Sequence, residues 1–236
     1  MQIPVLDLSP FLNDKDSLPA LASKLDSALS KCGFVHLINH GLNPDLIANT
    51  FSSSASFFAL NESLKTTVET TEATQQGFVS QGREVFDQSE DGSKATHELR
   101  EAYDVTSIDE EALFPDKLAP ALRANLTPLA EATRALGMLV LRALALALGQ
   151  DKDYLTGRHT RVLGRNNWSK IRSLYYPPVE ASQVKPGVVR CGEHSDYGTI
   201  TFLFQVKKIN EQNRFTSSRS TRKRYFRLNS QKTANS

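Results

Sequence analysis

The sequence predicts an α+β fold, helical in its front half and built of strands further on. Three patterns carry that reading. The first 58 residues alternate apolar strand-like and amphipathic helical runs. A leucine-rich stretch then keeps three- and four-residue steps from Leu122 to Leu148. Beyond it come short β-prone pieces punctuated by Pro177-Pro178 and Tyr197-Gly198.

Taken in order, IPVLDL (Ile3–Leu8) alternates weakly and predicts a short strand. Ser17 is placed to cap a helix with Pro19 in its first turn, and Gly33 ends the run of Leu18, Leu21, Leu25, Leu29 and Cys32. FVHLI (Phe34–Ile38) is β-branched and apolar, hence a buried strand, and Asn39-His40-Gly41 is a turn. Asn43-Pro44 opens a second helix with Leu46, Ile47, Phe51 and Phe58 on one face. Residues 66–110 are polar and are expected to be loops with short strands at Gly77–Val79 and Arg100–Thr106. The Leu122–Leu148 run amounts to about seven helical turns. Pro128 is expected to start a new helix there or to kink this one, and Gly149 to stop it. Strands are expected at Lys170–Tyr176, Gly187–His194 and Thr199–Gln205.

Composition bounds the function classes. The chain has 236 residues, 39% hydrophobic, enough for a sizeable core. Two cysteines, Cys32 and Cys191, are too few for a disulfide framework and fit a reducing compartment. MQIPVLDLSP lacks the basic start and apolar run of a signal peptide, and Arg142 interrupts the longest apolar stretch. A soluble, cytoplasmic protein is expected. The formal net charge of +2 conceals a split: 206–236 hold nine Lys/Arg and one acid, a balance of +8 against −6 for 1–205. That tail contains no Gly, Pro, His or Asp and keeps neither helical nor strand period.

His194-Ser195-Asp196 is the constellation that could carry chemistry. On a strand, residues i and i+2 project from one face, so an imidazole and a carboxylate here stand side by side. A 2-His-1-carboxylate iron site receives two of its three protein ligands in this way. Spacing alone is weak, since about 0.3 such pairs arise by chance in a chain of this make-up.

The surrounding residues are more specific. GVVRCGEHSDYGTITFLFQ (Gly187–Gln205) resembles the metal-binding region of the 2-oxoglutarate- and iron(II)-dependent dioxygenases, in their isopenicillin N synthase-like branch. IPVLDLSPF (Ile3–Phe11) with CGFVHLINHGL (Cys32–Leu42) is similar to that family's N-terminal region, and SASFFALNESLK (Ser54–Lys65) to the helix that follows. IRSLYYPP (Ile171–Pro178) resembles the strand before the metal site. The resemblance implies a double-stranded β-helix, or jelly roll, backed by a helical N-terminal half. It also implies iron(II) as cofactor, 2-oxoglutarate as co-substrate, and oxidation of a small organic substrate by dioxygen. By the same resemblance His194 and Asp196 match the first two metal ligands and Tyr176 the tyrosine that contacts the co-substrate carboxylate. Leu174 stands where plant members often carry Asn.

The sequence also departs from that family. No histidine follows His194, and the tail has no Arg-x-Ser pair: Arg219 is followed two residues on by Thr221. His36, His40, His97 and His159 are the remaining histidines, and His36 and His40 read as structural. The resemblance ends at Gln205, so the barrel is expected to be incomplete and the chain to be a C-terminally truncated or mis-spliced product with impaired activity. TITFLFQ (Thr199–Gln205) would then leave an apolar strand with an open edge. Expected regions are 1–115 (dioxygenase N-terminal), 116–165 (supporting helix and linker), 166–205 (start of the jelly roll) and 206–236 (divergent basic tail, disordered). Two other readings stay open. One is a non-catalytic isoform or interaction protein. The other gives the run Arg219–Arg227, with five basic residues and two aromatics, a nucleic-acid contact in place of a solvated tail. No membrane partner is expected.

Overall fold

The computed structural model describes residues 2–83, 85–86, 96–109, 112–165, 167–178, 188–189, 196, 198–206 and 225–228. The chain forms two compact units. One comprises 1–43, 132–160 and 196–236; the other comprises 44–131 and 161–195.

In the first unit, β1 (Val5–Asp7) runs parallel to β2 (Phe34–Ile38), joined by α1 (Leu18–Cys32). The leucine period of α1 buries Leu21, Leu25 and Leu29, and Gly33 terminates it at φ 69°, its N–H donating to the Leu29 carbonyl at 2.7 Å. Ser17 does not cap α1 with its side chain. It sits at φ −79°, ψ −6°, already helical, whereas a capping hydroxyl needs extended backbone to reach the next N–H groups. Its Oγ donates instead to the Asp14 carbonyl at 2.6 Å.

α2 (Pro44–Phe58) opens the second unit on a proline at its first position, where a missing N–H is not needed. After the one-turn α3 (Glu62–Lys65), β3 (Gly77–Val79) pairs antiparallel with β6 (Glu101–Val105), and β6 with β7 (Ile171–Tyr175). A smaller sheet joins β4 (Val85–Phe86), β5 (Thr96–Glu98) and β8 (Val188–Val189). Phe57, Phe58, Phe78, Tyr103, Val105, Leu122 and Leu126 form this unit's core, with Phe57 edge-on to Tyr103 at 4.9 Å.

α4 (Pro120–Ala147) is one uninterrupted helix that contributes Pro120–Glu131 to the second unit and Ala132–Ala147 to the first. Pro128 therefore does not start a new helix. Its ring removes the N–H that would bond the Ala124 carbonyl, and one residue on the hydroxyl of Thr50 lies 3.0 Å from the Asn125 carbonyl. The same hydroxyl lies 2.8 Å from its own Leu46 carbonyl, so the two acceptors share one proton. Gly149, at φ 70°, ends the helix as expected, with Gly149 N–H to Leu146 and Gln150 N–H to Ala145, both 2.9 Å.

β9 (Ile200–Leu203) belongs to the first unit. A Cβ at Gly137 of α4 would stand 3.3 Å from the Phe202 ring, so the missing side chain lets β9 lie close on the helix. Within the tail expected to lack regular structure, Tyr225–Leu228 forms β10 and corrects that expectation for those residues. It pairs antiparallel with both β2 and β9, giving the order β1-β2-β10-β9. Strand edges with unmet N–H and C=O groups are strong templates, and the edge of β9 expected to be open is met here on one side. The sheets do not close into a barrel among the described residues.

Candidate functional site

Of the three residues singled out from the sequence, His194 lies outside the described residues. Asp196 belongs to the first unit, on the lead-in to β9, and is half-buried. Thr201 of β9 donates from Oγ1 to Asp196 Oδ2 at 2.9 Å. Thr199 stands two positions before Thr201, in the bend that leads into β9. Thr199 Oγ1 lies 2.9 Å from His159 Nε2, and His159 Nδ1 lies 2.7 Å from the Leu155 carbonyl. A carbonyl only accepts, so Nδ1 carries the proton, and in the neutral ring Nε2 accepts from Thr199. Thr201 of β9 thus holds a carboxylate, and Thr199 in the bend before it meets an imidazole. The sequence reading passed over both threonines. No spacing rule pointed to them, because Thr201 meets Asp196 only through the turn that leads into β9.

Tyr176 lies in the second unit, one residue beyond β7, and is 39% exposed. Alternation along β7 sorts the residues before it between two faces. Tyr175 stacks on Phe58 of α2 with centroids 5.4 Å apart, and Ser173 Oγ lies 3.3 Å from Ser54 Oγ of the same helix. Arg172 and Leu174 therefore project from the other face of the sheet, and Tyr176 follows the end of the strand. β7 is pinned from that other face. Asp104 of β6, with its side chain only 3% exposed, accepts from Arg172 through both oxygens at 2.7 Å and from Lys170 at 3.0 Å.

A divalent metal needs deprotonated oxygen or imidazole donors that are held in place from behind. Asp196 meets both requirements: a half-buried carboxylate, supported by a hydroxyl. Among the described residues no group of three His, Cys, Asp or Glu side chains comes together. Three of the other histidines are placed elsewhere. His36 is buried in β2, His40 Nδ1 accepts the Leu42 N–H at 3.1 Å, and both ring nitrogens of His159 have partners. The side chain of His97 lies outside the described residues. No helix among the described residues is long and apolar enough to cross a membrane.

Residues 3–137 match the family model described as the N-terminal region of non-haem dioxygenase in morphine synthesis. The chain is 30% identical over 219 residues to the 2-oxoglutarate-dependent dioxygenase htyE of Aspergillus rugulosus, covering 87% of this chain and 64% of that one. It is 28% identical to the proline hydroxylase buaE of Petromyces alliaceus, over 87% of this chain and 65% of the relative. Among solved structures, a full-length Neurospora crassa protein in complex with alpha-KG superposes with a TM-score of 0.70 at 31% identity, covering 86% of this chain and 64% of that one. JOX2 in complex with 2OG, Fe and JA shares the fold at a TM-score of 0.69 and 21% identity, over 97% of this chain and 64% of JOX2. The chain therefore spans a little under two thirds of the length of these relatives.

Proposed function

The chain belongs to the 2-oxoglutarate- and iron(II)-dependent non-haem dioxygenases, and from that membership we propose that it carries the metal-binding strand of an oxygenase acting on a small organic substrate with dioxygen. His194 and Asp196 would hold the iron, and Tyr176 would contact 2-oxoglutarate. Bound iron(II) and 2-oxoglutarate supply the oxidising chemistry that such enzymes share. This chain's own residues orient the groups: Asp196 presents a carboxylate fixed by Thr201, and Tyr176 stands partly exposed just beyond the end of β7. Regions 1–115, 116–165, 166–205 and 206–236, a jelly-roll architecture and a cytoplasmic location complete the proposal.

The observation that carries it is the half-buried Asp196 carboxylate held by Thr201. A second reading, a non-catalytic relative, is favoured by the ligand count. No histidine follows His194 in the sequence, and His40 and His159 are already engaged by their neighbours. One imidazole and one carboxylate compete poorly with water for iron(II), so activity of this chain is proposed to be impaired.

Anaerobic titration with iron(II) and 2-oxoglutarate separates the two readings, because the bound chelate absorbs in the visible. The oxygenase reading expects a weak band that strengthens when free imidazole is added to take the place of the third ligand. It also expects no band in Asp196→Ala. Wild-type spectra matching those of Asp196→Ala, with and without imidazole, would discard it.

A further inference from the structure

We infer that Thr201 is a positioning residue for Asp196, one that sets how the carboxylate meets a divalent metal; the inference rests on the metal-ligand reading of Asp196 given above. Three features lead there. Thr201 is not a neighbour in sequence but five residues on, and its hydroxyl spans that interval to reach Oδ2 at 2.9 Å. Its own backbone is held in β9, opposite Arg227 of β10, and the ring of the next residue, Phe202, lies against α4 at Gly137. Its side chain is β-branched, which stiffens χ1 and leaves the hydroxyl little freedom to swing away.

The consequence is a carboxylate whose rotation about its last bond is restrained. An aspartate free to rotate offers a metal one oxygen, the other, or both. With Oδ2 engaged by Thr201, one-oxygen contact becomes the preferred arrangement, and the ordering entropy is met before a metal arrives. Partners of this kind, one step behind the ligand, change metal affinity by about 10–100-fold when removed. The competing explanation is local. The same bond could serve only to close the chain between Asp196 and Thr201, in which case removing it would lower stability and leave metal affinity alone.

Mn(II) alone is the probe, with free ion followed by its EPR signal, on the full 236-residue chain and on Thr201→Val, Thr201→Ser and Asp196→Ala. Thr201→Val keeps shape and strand preference while deleting the hydroxyl. It should weaken Mn(II) binding about 10–100-fold with the urea midpoint held. Thr201→Ser restores the hydroxyl without the stiff χ1 and should recover most of that loss. It also keeps the question open to test should the valine variant fold poorly. Wild-type affinity in Thr201→Val, or a serine variant as weak as the valine one, would overturn the role of Thr201 while leaving Asp196 as a ligand. Wild-type binding no stronger than that of Asp196→Ala would overturn the metal reading and this inference together.

Discussion

Replacing Arg172 by Met tests how β7 is held, and with it the strand that leads to Tyr176. The carboxylate of Asp104 has its side chain 3% exposed, whereas those of its partners Arg172 and Lys170 are 25% and 35% exposed. The environments are therefore unequal, and the two halves of the ion pair should respond unequally. Arg172→Met leaves a buried anion with Lys170, 3.0 Å away, as its remaining cationic partner among the described residues. Losing one partner of a buried pair costs about 3–5 kcal/mol, and the remaining lysine places this variant near the lower end, about 3 kcal/mol. Asp104→Asn removes the charge from the buried side and leaves two cations that water reaches. Its loss is that of the charge-assisted hydrogen bonds, about 2 kcal/mol. Lys170→Met removes a half-exposed partner and should cost below about 1 kcal/mol.

Urea unfolding followed by circular dichroism measures the series, because guanidinium would screen the charges under test. With an m-value of about 2 kcal/mol/M, Arg172→Met should move the midpoint by about 1.5 M without changing the slope. Hydrogen exchange should rise in the backbone amides of Ile171–Tyr175 and of their partners Glu101–Val105. The order Arg172→Met, then Asp104→Asn, then Lys170→Met follows from burial alone. An asparagine variant that is clearly worse than the methionine variant would refute it, since the dominant penalty would then not be the uncompensated buried carboxylate.

Alkaline pH should destabilise the chain through two groups of the second unit. Burial pushes the Tyr103 phenol far above its usual range, and the Asp116 charge adds to it. Burial alone would lower Lys65, but hydrogen bonds to Glu101 and Glu62 outweigh it and hold the ammonium above its ordinary value. Both groups bind their proton more tightly folded than unfolded, so their contribution is complete below about pH 10 and is lost as pH rises beyond it. Tyr103→Phe should flatten that alkaline limb in a urea-midpoint series, and a limb of unchanged slope would count against the tyrosine. For the tail strand, Phe226→Pro deletes a ladder N–H between β2 and β9. Faster exchange at Phe34–Ile38 and Ile200–Leu203 and a rise in thioflavin signal are expected; unchanged exchange at both would show that β10 does not protect them.

Much of the front half was legible because its signals are local. The strand Phe34–Ile38, the start of α2 at Pro44 and the short strand Gly77–Val79 all fall where the residues place them. What was not legible depends on contacts remote in sequence or on backbone angles. Ser17 carries the right side chain for a cap, but the turn before it already fixes helical φ and ψ, which composition does not reveal. Pro128 reads as a new start or a kink, yet the helix runs through it, and the Thr50 hydroxyl that meets the Asn125 carbonyl there comes from 75 positions away. Asp104 and Arg172 meet across 68 positions, and only strand pairing brings them into register. At the candidate site, the His-x-Asp spacing and the family likeness pointed to Asp196. The hydroxyl that holds it became visible only when β9 was seen to bring Thr201 back onto the carboxylate.

β10 also changes how the charge split must be tested. The +8 of 206–236 invites a comparison of the chain with and without its tail for salt-dependent binding to single-stranded nucleic acid. That deletion would remove Tyr225–Leu228 as well and uncover β2 and β9, and exposed strand edges bind other chains indiscriminately. A difference between the two forms would then confuse electrostatics with a damaged sheet. Charge can be removed without touching the strand. Replacing Arg219, Arg222, Lys223 and Arg224 by Gln leaves β10 in place and lowers the tail's balance by four. If phosphate contact is what the basic run does, the slope of log affinity against log salt should fall in that variant. If its charges are merely solvated, the slope should not move, and the run of basic residues then has its explanation in keeping the flank of an added strand soluble.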